Sequence, residues 1–343
     1  MQNRRKFLIQ SSIGISSAWL SPNFLISETE GKGKRKALAP GLWAVMITPF
    51  DEKLNIDYPT LKKMIQWYEE AGVAGFFANC ASSEMYQLSP EQRVALTKFV
   101  VENTSKPVVS TGSFSNSVDE NIAFIKEIYN TGVDAVVLIT SVLVEKEKDD
   151  EALWQHIKAI VDGSPGIPLG LYECPSPYKR LLSTDILEKI TATDRFVYLK
   201  DTSCDAQQVA AKIATIENSR MGMYNAHTPD ALFTIQNKGQ GLSPIGANFY
   251  PEIYAFICKY GNSKRKAKEV AMANEFLLKS DKIIGKKYPV SAKCFMNLRG
   301  LPIQNYARRD RGPFTEDEIQ RLKDLWVDLQ KLAKDLKIDL AVV

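Results

Sequence analysis

The sequence predicts an α/β protein, a (β/α)8 TIM barrel with additional C-terminal helices, and three observations lead there. From Gly41 onward, eight short apolar runs alternate with longer stretches of helical period. The runs are apolar almost throughout rather than at every second position, as expected of strands covered on both faces in a parallel sheet. The stretches between them carry helix-start signals. So many equal units fit a closed barrel better than a doubly wound open sheet.

The predicted strands are residues 43–48, 75–80, 107–111, 134–140, 168–172, 196–200, 221–225 and 241–245. Ser89-Pro90-Glu91-Gln92 combines an N-cap serine, proline at the first helical position and a reciprocal capping glutamine, and Ser117-Val118-Asp119-Glu120 repeats the box. Gly72 and Gly132 close two of the helices. Beyond about residue 261 no strand is predicted. Residues 263–282, 288–299 and 315–337 read as helices, the last opened by the box Thr315-Glu316-Asp317-Glu318. The organisation is thus a signal and basic linker (1–40), a barrel (41–262) and a helical extension (263–343), read as an added layer rather than a second catalytic unit.

The formal charge of +4 is a property of the N-terminus. Residues 1–40 hold seven Lys/Arg and two Asp/Glu, which leaves 37 basic against 38 acidic residues elsewhere, a net of −1. That balance excludes a nucleic-acid partner on electrostatic grounds. Asn3-Arg4-Arg5-Lys6-Phe7-Leu8, followed by an uncharged stretch through Leu20 to Ser27, resembles a twin-arginine export signal. The stretch is too rich in Ser, Gly and Gln for a membrane span. A periplasmic or otherwise exported location is expected, with a cytoplasmic one as the alternative. The five cysteines are scattered without paired spacing, and His156 and His227 stand far apart, so no metal site is indicated.

In such a barrel the active groups gather at the carboxyl ends of the strands. Lys200 closes the apolar run Phe196-Val197-Tyr198-Leu199 and precedes Asp201-Thr202-Ser203. Burial disfavours an ammonium ion, so a lysine there can present a free amine near neutral pH, and such an amine attacks ketones. The alternative is a lysine whose stem packs on the sheet while its head reaches solvent. Tyr172 ends the neighbouring strand and can carry protons for the amine, or simply pack at the rim. The turn Ala81-Ser82-Ser83-Glu84 after the second strand offers backbone N–H groups and the Ser82 hydroxyl to a carboxylate. Glu84 is read as structural. Thr48, Gly246 and His227 complete the set selected by strand ends.

On these residues the chain resembles the dihydrodipicolinate synthase and N-acetylneuraminate lyase family, pyruvate-type class I aldolases, from Gly41 nearly to the C-terminus. The carriers are Ile47-Thr48-Pro49-Phe50, Cys80-Ala81-Ser82-Ser83-Glu84, Tyr172-Glu173-Cys174-Pro175 and Leu199-Lys200-Asp201-Thr202-Ser203. The resemblance implies an imine between Lys200 and a 2-oxo acid, proton relay by Tyr172, and carboxylate binding at Ala81 and Ser82. It also implies carbon-carbon cleavage or formation on sugar-acid-like substrates without any cofactor, and a homo-oligomer, a tetramer in many relatives. A dehydratase using the same imine, or a non-catalytic sugar-acid-binding barrel, is the alternative.

The departures from the family's pattern count as well. Ala81 replaces a hydroxyl residue, and Cys80 and Ser83 replace glycines. No phenol stands in Thr140-Ser141-Val142-Leu143, and Pro177 replaces an arginine that would receive a dicarboxylate, so dihydrodipicolinate synthesis is not expected. Glu173, where Asn is usual, is either an acid beside Tyr172 or a solvent-facing carboxylate. Tyr198 shares the face of Lys200 and either fills the barrel beneath the amine or crowds the substrate.

Overall fold

The computed structural model describes residues 37–309 and 311–342, so the proposed export signal lies outside the described residues. In chain order the elements are β1 (Gly41–Val45), α1 (Tyr58–Glu70), β2 (Gly75–Phe77), α2 (Pro90–Glu102), β3 (Val108–Thr111), α3 (Val118–Asn130), β4 (Ala135–Ile139), α4 (Thr140–Leu143), α5 (Asp150–Gly163) and β5 (Leu169–Tyr172). There follow α6 (Thr184–Thr191), β6 (Phe196–Asp201), α7 (Ala206–Ile216), β7 (Gly222–Asn225), α8 (Ala231–Gln236), β8 (Gly241–Leu242), α9 (Pro251–Tyr260), α10 (Ala267–Ile284), α11 (Val290–Leu298) and α12 (Glu316–Leu336). The eight strands are parallel, each pairs with the next, and β8 returns to β1 to close the barrel.

Closure depends on backbone proximity. Gly241 pairs with Gly41, and a Cβ added to Gly241 would collide with the Gly41 carbonyl. β8 is only two residues long because Ile245–Asn248 coil into a 3-10 turn. β2 likewise stops at Phe77, ahead of a 3-10 turn at Ala81–Ser83, yet Ala78 N donates to Val109 O and Thr111 N to Asn79 O, so its pairing with β3 continues two residues further.

The helix signals act as expected at Ser89, whose box with Gln92 is reciprocal, and at Thr315 with Glu318. At Ser117 only half the box forms, the serine accepting from Glu120 N. Gly72 and Gly132 take the left-handed conformation, with φ of 87° and 94°, just past α1 and α3.

Alternation divides the strand side chains between two cores. Ala44, Phe76, Leu171, Leu199 and Met223 face the helices, whereas Trp43, Val45, Phe77, Val109, Val137, Tyr198 and Tyr224 fill the barrel. Within it, Tyr198 stacks on Tyr224 with ring centroids 4.6 Å apart, Trp43 tilts against both at 5.3 Å, and the Tyr198 hydroxyl donates to Ser243 Oγ at 3.0 Å. Tyr198 therefore forms the packed floor of the barrel one inward step below Lys200, the first of its two expected roles.

The C-terminal helices are bound to the barrel by buried polar contacts. Arg299 pairs with Glu252 of α9 at 2.5 Å, donates to Phe249 O, and lies over the rings of Trp67 in α1 and Trp326 in α12. Among the described residues no helix is long and apolar enough to cross a membrane.

On the helix side of the sheet, Lys212 of α7 lies between Glu173 and Asp201, at 2.5 and 2.7 Å, with all three side chains buried. Removing one partner of such a cluster strands buried charge, at a cost of about 3–5 kcal/mol. Lys212→Met is therefore expected to lower the denaturant midpoint substantially at neutral pH. A midpoint equal to that of the parent protein would contradict this account.

Candidate active site

β6 sets the centre of the site. Because side chains alternate, Tyr198 and Lys200 enter the barrel while Leu199 and Asp201 face the helices. The Lys200 amine is 97% buried as a residue, and lies 4.6 Å from the centre of the Tyr172 ring and 5.6 Å from that of Phe77. Among the described residues no carboxylate lies within ion-pair distance of it. Burial pushes its pKa below the ordinary lysine value, opposed only weakly by the thiols of Cys80 and Cys174. The amine is thus shielded, uncompensated and biased toward the neutral, nucleophilic form.

Tyr172 pairs with Lys200 across the β5–β6 register. Its phenol is buried, its pKa is raised well above the ordinary tyrosine value by burial, and it meets the Cys174 side chain. Tyr86, from the turn after β2, reaches the same thiol and donates to Ser176 O at 2.8 Å. A phenol from another part of the chain therefore stands near Tyr172, although none follows β4. In sequence Tyr86 and Cys174 are 88 residues apart, and nothing in their local patterns pairs them.

The turn after β2 is fixed by side chains that replace the expected glycines. Ser83 Oγ accepts from Cys80 N and lies 2.7 Å from Met46 O and 2.8 Å from Ala78 O. Thr48 Oγ1 donates to Ser83 O at 2.8 Å, so Thr48 shapes the turn. Ala81 and Ser82 open it, and Ser82 meets the phenol of Tyr288, which also accepts from Asn248 Nδ2 at 2.8 Å. Glu84 is buried and structural: it takes a left-handed conformation, pairs with Lys293 at 3.4 Å and accepts from Arg309 N at 2.8 Å. Burial lowers the pKa of Lys293 to about 8 against the opposing pull of Glu84. The C-terminal layer therefore takes part in building the site through Tyr288 and Lys293, which gives it more than the added-layer role expected.

One expected substrate contact is corrected. Glu173 does not stand beside the Tyr172 phenol. One residue on from an inward tyrosine, it points to the helix side, where it binds Lys212 and accepts from Leu182 N and Thr202 N. Burial raises its pKa to about 7, opposed by Lys212. Gly246 faces α9, where a Cβ would strike the Tyr254 ring, and the working residue of that turn is Asn248, which reaches Val45 O, Ile245 O and Tyr288. The His227 ring is held by Asp230 at 2.6 Å, and no hydrogen bond joins it to Lys200 or Tyr172. A cleft of about 930 Å³ bounded by Gly41, Gly72, Gln240 and Tyr260 opens at the opposite end of the barrel, where strands begin, and holds none of these groups.

The sequence pattern of the dihydrodipicolinate synthetase family matches residues 39–328. The chain belongs to that family, whose members are lyases of the class I aldolase type. It is 27% identical over 278 residues to a 4-hydroxy-tetrahydrodipicolinate synthase of Bacillus subtilis, covering 80% of this chain and 93% of the relative. An uncharacterized DapA-like lyase of Pyrococcus furiosus is 26% identical over 299 residues, covering 86% and 99%. Among solved structures, the prophage protein YagE of Escherichia coli K12, in complex with pyruvate, superposes with a TM-score of 0.78 at 22% identity, covering 86% of this chain and 99% of that one.

The lowered pKa of Lys200 fixes a sign. The free-amine fraction rises with pH through the lysine's own pKa, which lies below 10.5. Borohydride trapping of a ketone on Lys200 is therefore expected to reach its plateau at lower pH than trapping on a solvent-exposed lysine. Coincident profiles, measured by peptide mass, would overturn the assignment.

Proposed function

We propose that this chain is a Schiff-base-forming class I aldolase or lyase that acts on pyruvate or another 2-oxo acid. The observation that carries the reading is the Lys200 amine, buried at the centre of the barrel without an acid partner and set against the face of Tyr172. The amine attacks the 2-oxo carbon, and loss of water from the carbinolamine leaves a protonated imine. The Tyr172 phenol gives its proton to the carbinolamine hydroxyl that leaves as water. With a 4-hydroxy-2-oxo acid, the C3–C4 bond then breaks as its electron pair enters the imine, while the C4 hydroxyl proton passes back to the Tyr172 phenolate. The aldehyde departs, the enamine takes a proton at C3, and water releases pyruvate and regenerates the amine. The substrate carboxylate lies at the Ala81-Ser82 turn, where a 3-10 turn begins and its first N–H groups lack intrahelical partners. The relative solved with pyruvate supports a 2-oxo acid as the reactant.

Dihydrodipicolinate synthesis is not the reaction we propose, because Pro177 stands where a dicarboxylate would need a cation. Lys179 and Arg180 do not replace it: Lys179 donates to Ser203 O, and Arg180 is engaged by Lys148 O, Asp149 O and Asp150.

Incubation with pyruvate and borohydride is expected to add one reduced pyruvyl group to Lys200, and Lys200→Ala to abolish it with folding retained. Tyr172→Phe is expected to lower turnover about 10²- to 10⁴-fold in a screen for pyruvate release from hydroxylated 2-oxo acids. Absence of any adduct on Lys200 in folded protein, across several 2-oxo acids, would end the proposal. Export through the twin-arginine route is proposed on Arg4 and Arg5, and replacing both with lysine is expected to retain the protein in the cytoplasm. An unchanged location in cell fractionation would exclude that route.

A further inference from the structure

Asn79 and Thr111 stand out among the buried polar groups. Both residues are fully buried, and Asn79 Nδ2, Asn79 Oδ1 and Thr111 Oγ1 have no hydrogen-bond partner. Among the described residues the other orphaned side-chain atoms lie elsewhere: Trp67 and Asn274 belong to helices, and Arg180 and Arg299 are bonded through their other nitrogens. Burying an amide and a hydroxyl without partners is unfavourable, and in native proteins such groups are met by protein, by ordered water or by a ligand.

Both side chains point into the barrel. On β3, Ser110 bonds Thr97 of α2 and Gly112 abuts Ile125 of α3, so both face outward and Thr111 between them faces inward. On the β2 side, Phe77 faces inward and Ala78 outward, and the ladder to β3 continues through Asn79, which is therefore inward again. The two residues are neighbours, since Thr111 N donates to Asn79 O at 3.2 Å. They stand one inward step nearer the mouth than Phe77 and Val109, and the Phe77 ring faces the Lys200 amine. Neither side chain is charged. Asn79 offers both a donor and an acceptor, and Thr111 offers a hydroxyl that can act as either. A carboxylate could satisfy only donors and would set its charge against Asn79 Oδ1, whereas a neutral hydroxyl can satisfy both functions at once.

We infer that Asn79 and Thr111 form a specificity pair that binds a neutral hydroxyl of the substrate inside the barrel, opposite Lys200, so that the ligand is a hydroxylated 2-oxo acid. This deepens the reading above by naming residues that select the hydroxylated 2-oxo acid proposed there, but the pair can bind such a ligand whether or not Lys200 reacts. A site built for a hydroxyl discriminates against the analogue that lacks it, because its polar groups are then left unpaired.

The test uses the full chain, with Asn79→Leu and the near-isosteric Thr111→Val as separate variants. The probes are 2-oxo-3-deoxygluconate and pyruvate, which lacks the hydroxyls. Binding is read by calorimetry, and borohydride adducts on Lys200 are read by mass. The hydroxylated acid is expected to bind more tightly than pyruvate to the parent protein. Each variant is expected to lose about ten- to hundredfold of that preference while its pyruvate adduct is unchanged. If Asn79→Leu does not fold, Thr111→Val decides. A preference that is absent from the parent, or intact in the folded variants, overturns the pair, as does equal weakening of both probes. Binding of the hydroxylated acid that the variants lose, without any adduct on Lys200, sustains the pair and defeats the imine reading alone.

Discussion

One alternation governs this molecule: on β6, Lys200 enters the closed barrel and Asp201 leaves it. The adjacent residues carry opposite charges when ionised, and in solution they would screen one another. The sheet puts them on opposite faces. Asp201 and its neighbour across the β5–β6 register, Glu173, are held by Lys212 behind the strands, which keeps both carboxylates off the amine. Inside, the Lys200 amine lies over the Tyr172 and Phe77 rings and near the Cys80 and Cys174 thiols, and among the described residues no carboxylate opposes the effect of burial on its pKa.

The rest of the interior serves that isolation. Below the amine, Tyr198, Tyr224 and Trp43 pack the barrel solid, and Ser243 satisfies the Tyr198 hydroxyl, so the floor admits no unpaired phenol. At the mouth, the turn after β2 is braced from three directions: Thr48 from the segment after β1, Ser83 from within, and Glu84 through Lys293 of α11. Ser83, in place of one of the family's glycines, thus holds the turn through its own hydroxyl. Tyr288 and Asn248 join it to the C-terminal helices, so the extension braces the turn as well as covering the barrel.

Much of this was legible from local pattern. Alternating apolar runs specify a parallel barrel, caps at Ser89 and Thr315 start their helices, and the position of Lys200 at a strand end selects it as the reactive group. Glu173 shows where pattern reading failed. Its neighbour Tyr172 faces inward, so strict alternation sends Glu173 outward, and that signal was available in the sequence. What was not available was its partner, because Lys212 lies 39 residues away on a helix with no motif linking them. Gly246 was selected only by its place at a strand end, and the pattern could not show that the Tyr254 ring of α9 lies where its Cβ would stand. Tyr86 and Tyr288 were missed because they approach the site from loops whose direction depends on packing between elements.

By itself the sequence determined the fold class, the strand that carries Lys200 and the face on which Lys200 and Tyr198 lie, because periodicity and capping are properties of neighbouring residues. Only the tertiary structure decided that among the described residues the amine has no acid partner, that Glu173 and Asp201 share Lys212, and that no described residue bonds the Asn79 and Thr111 side chains. Those facts concern groups brought together by barrel closure across tens to hundreds of residues. Hydrogen-bond satisfaction can be counted only once every neighbour is in place.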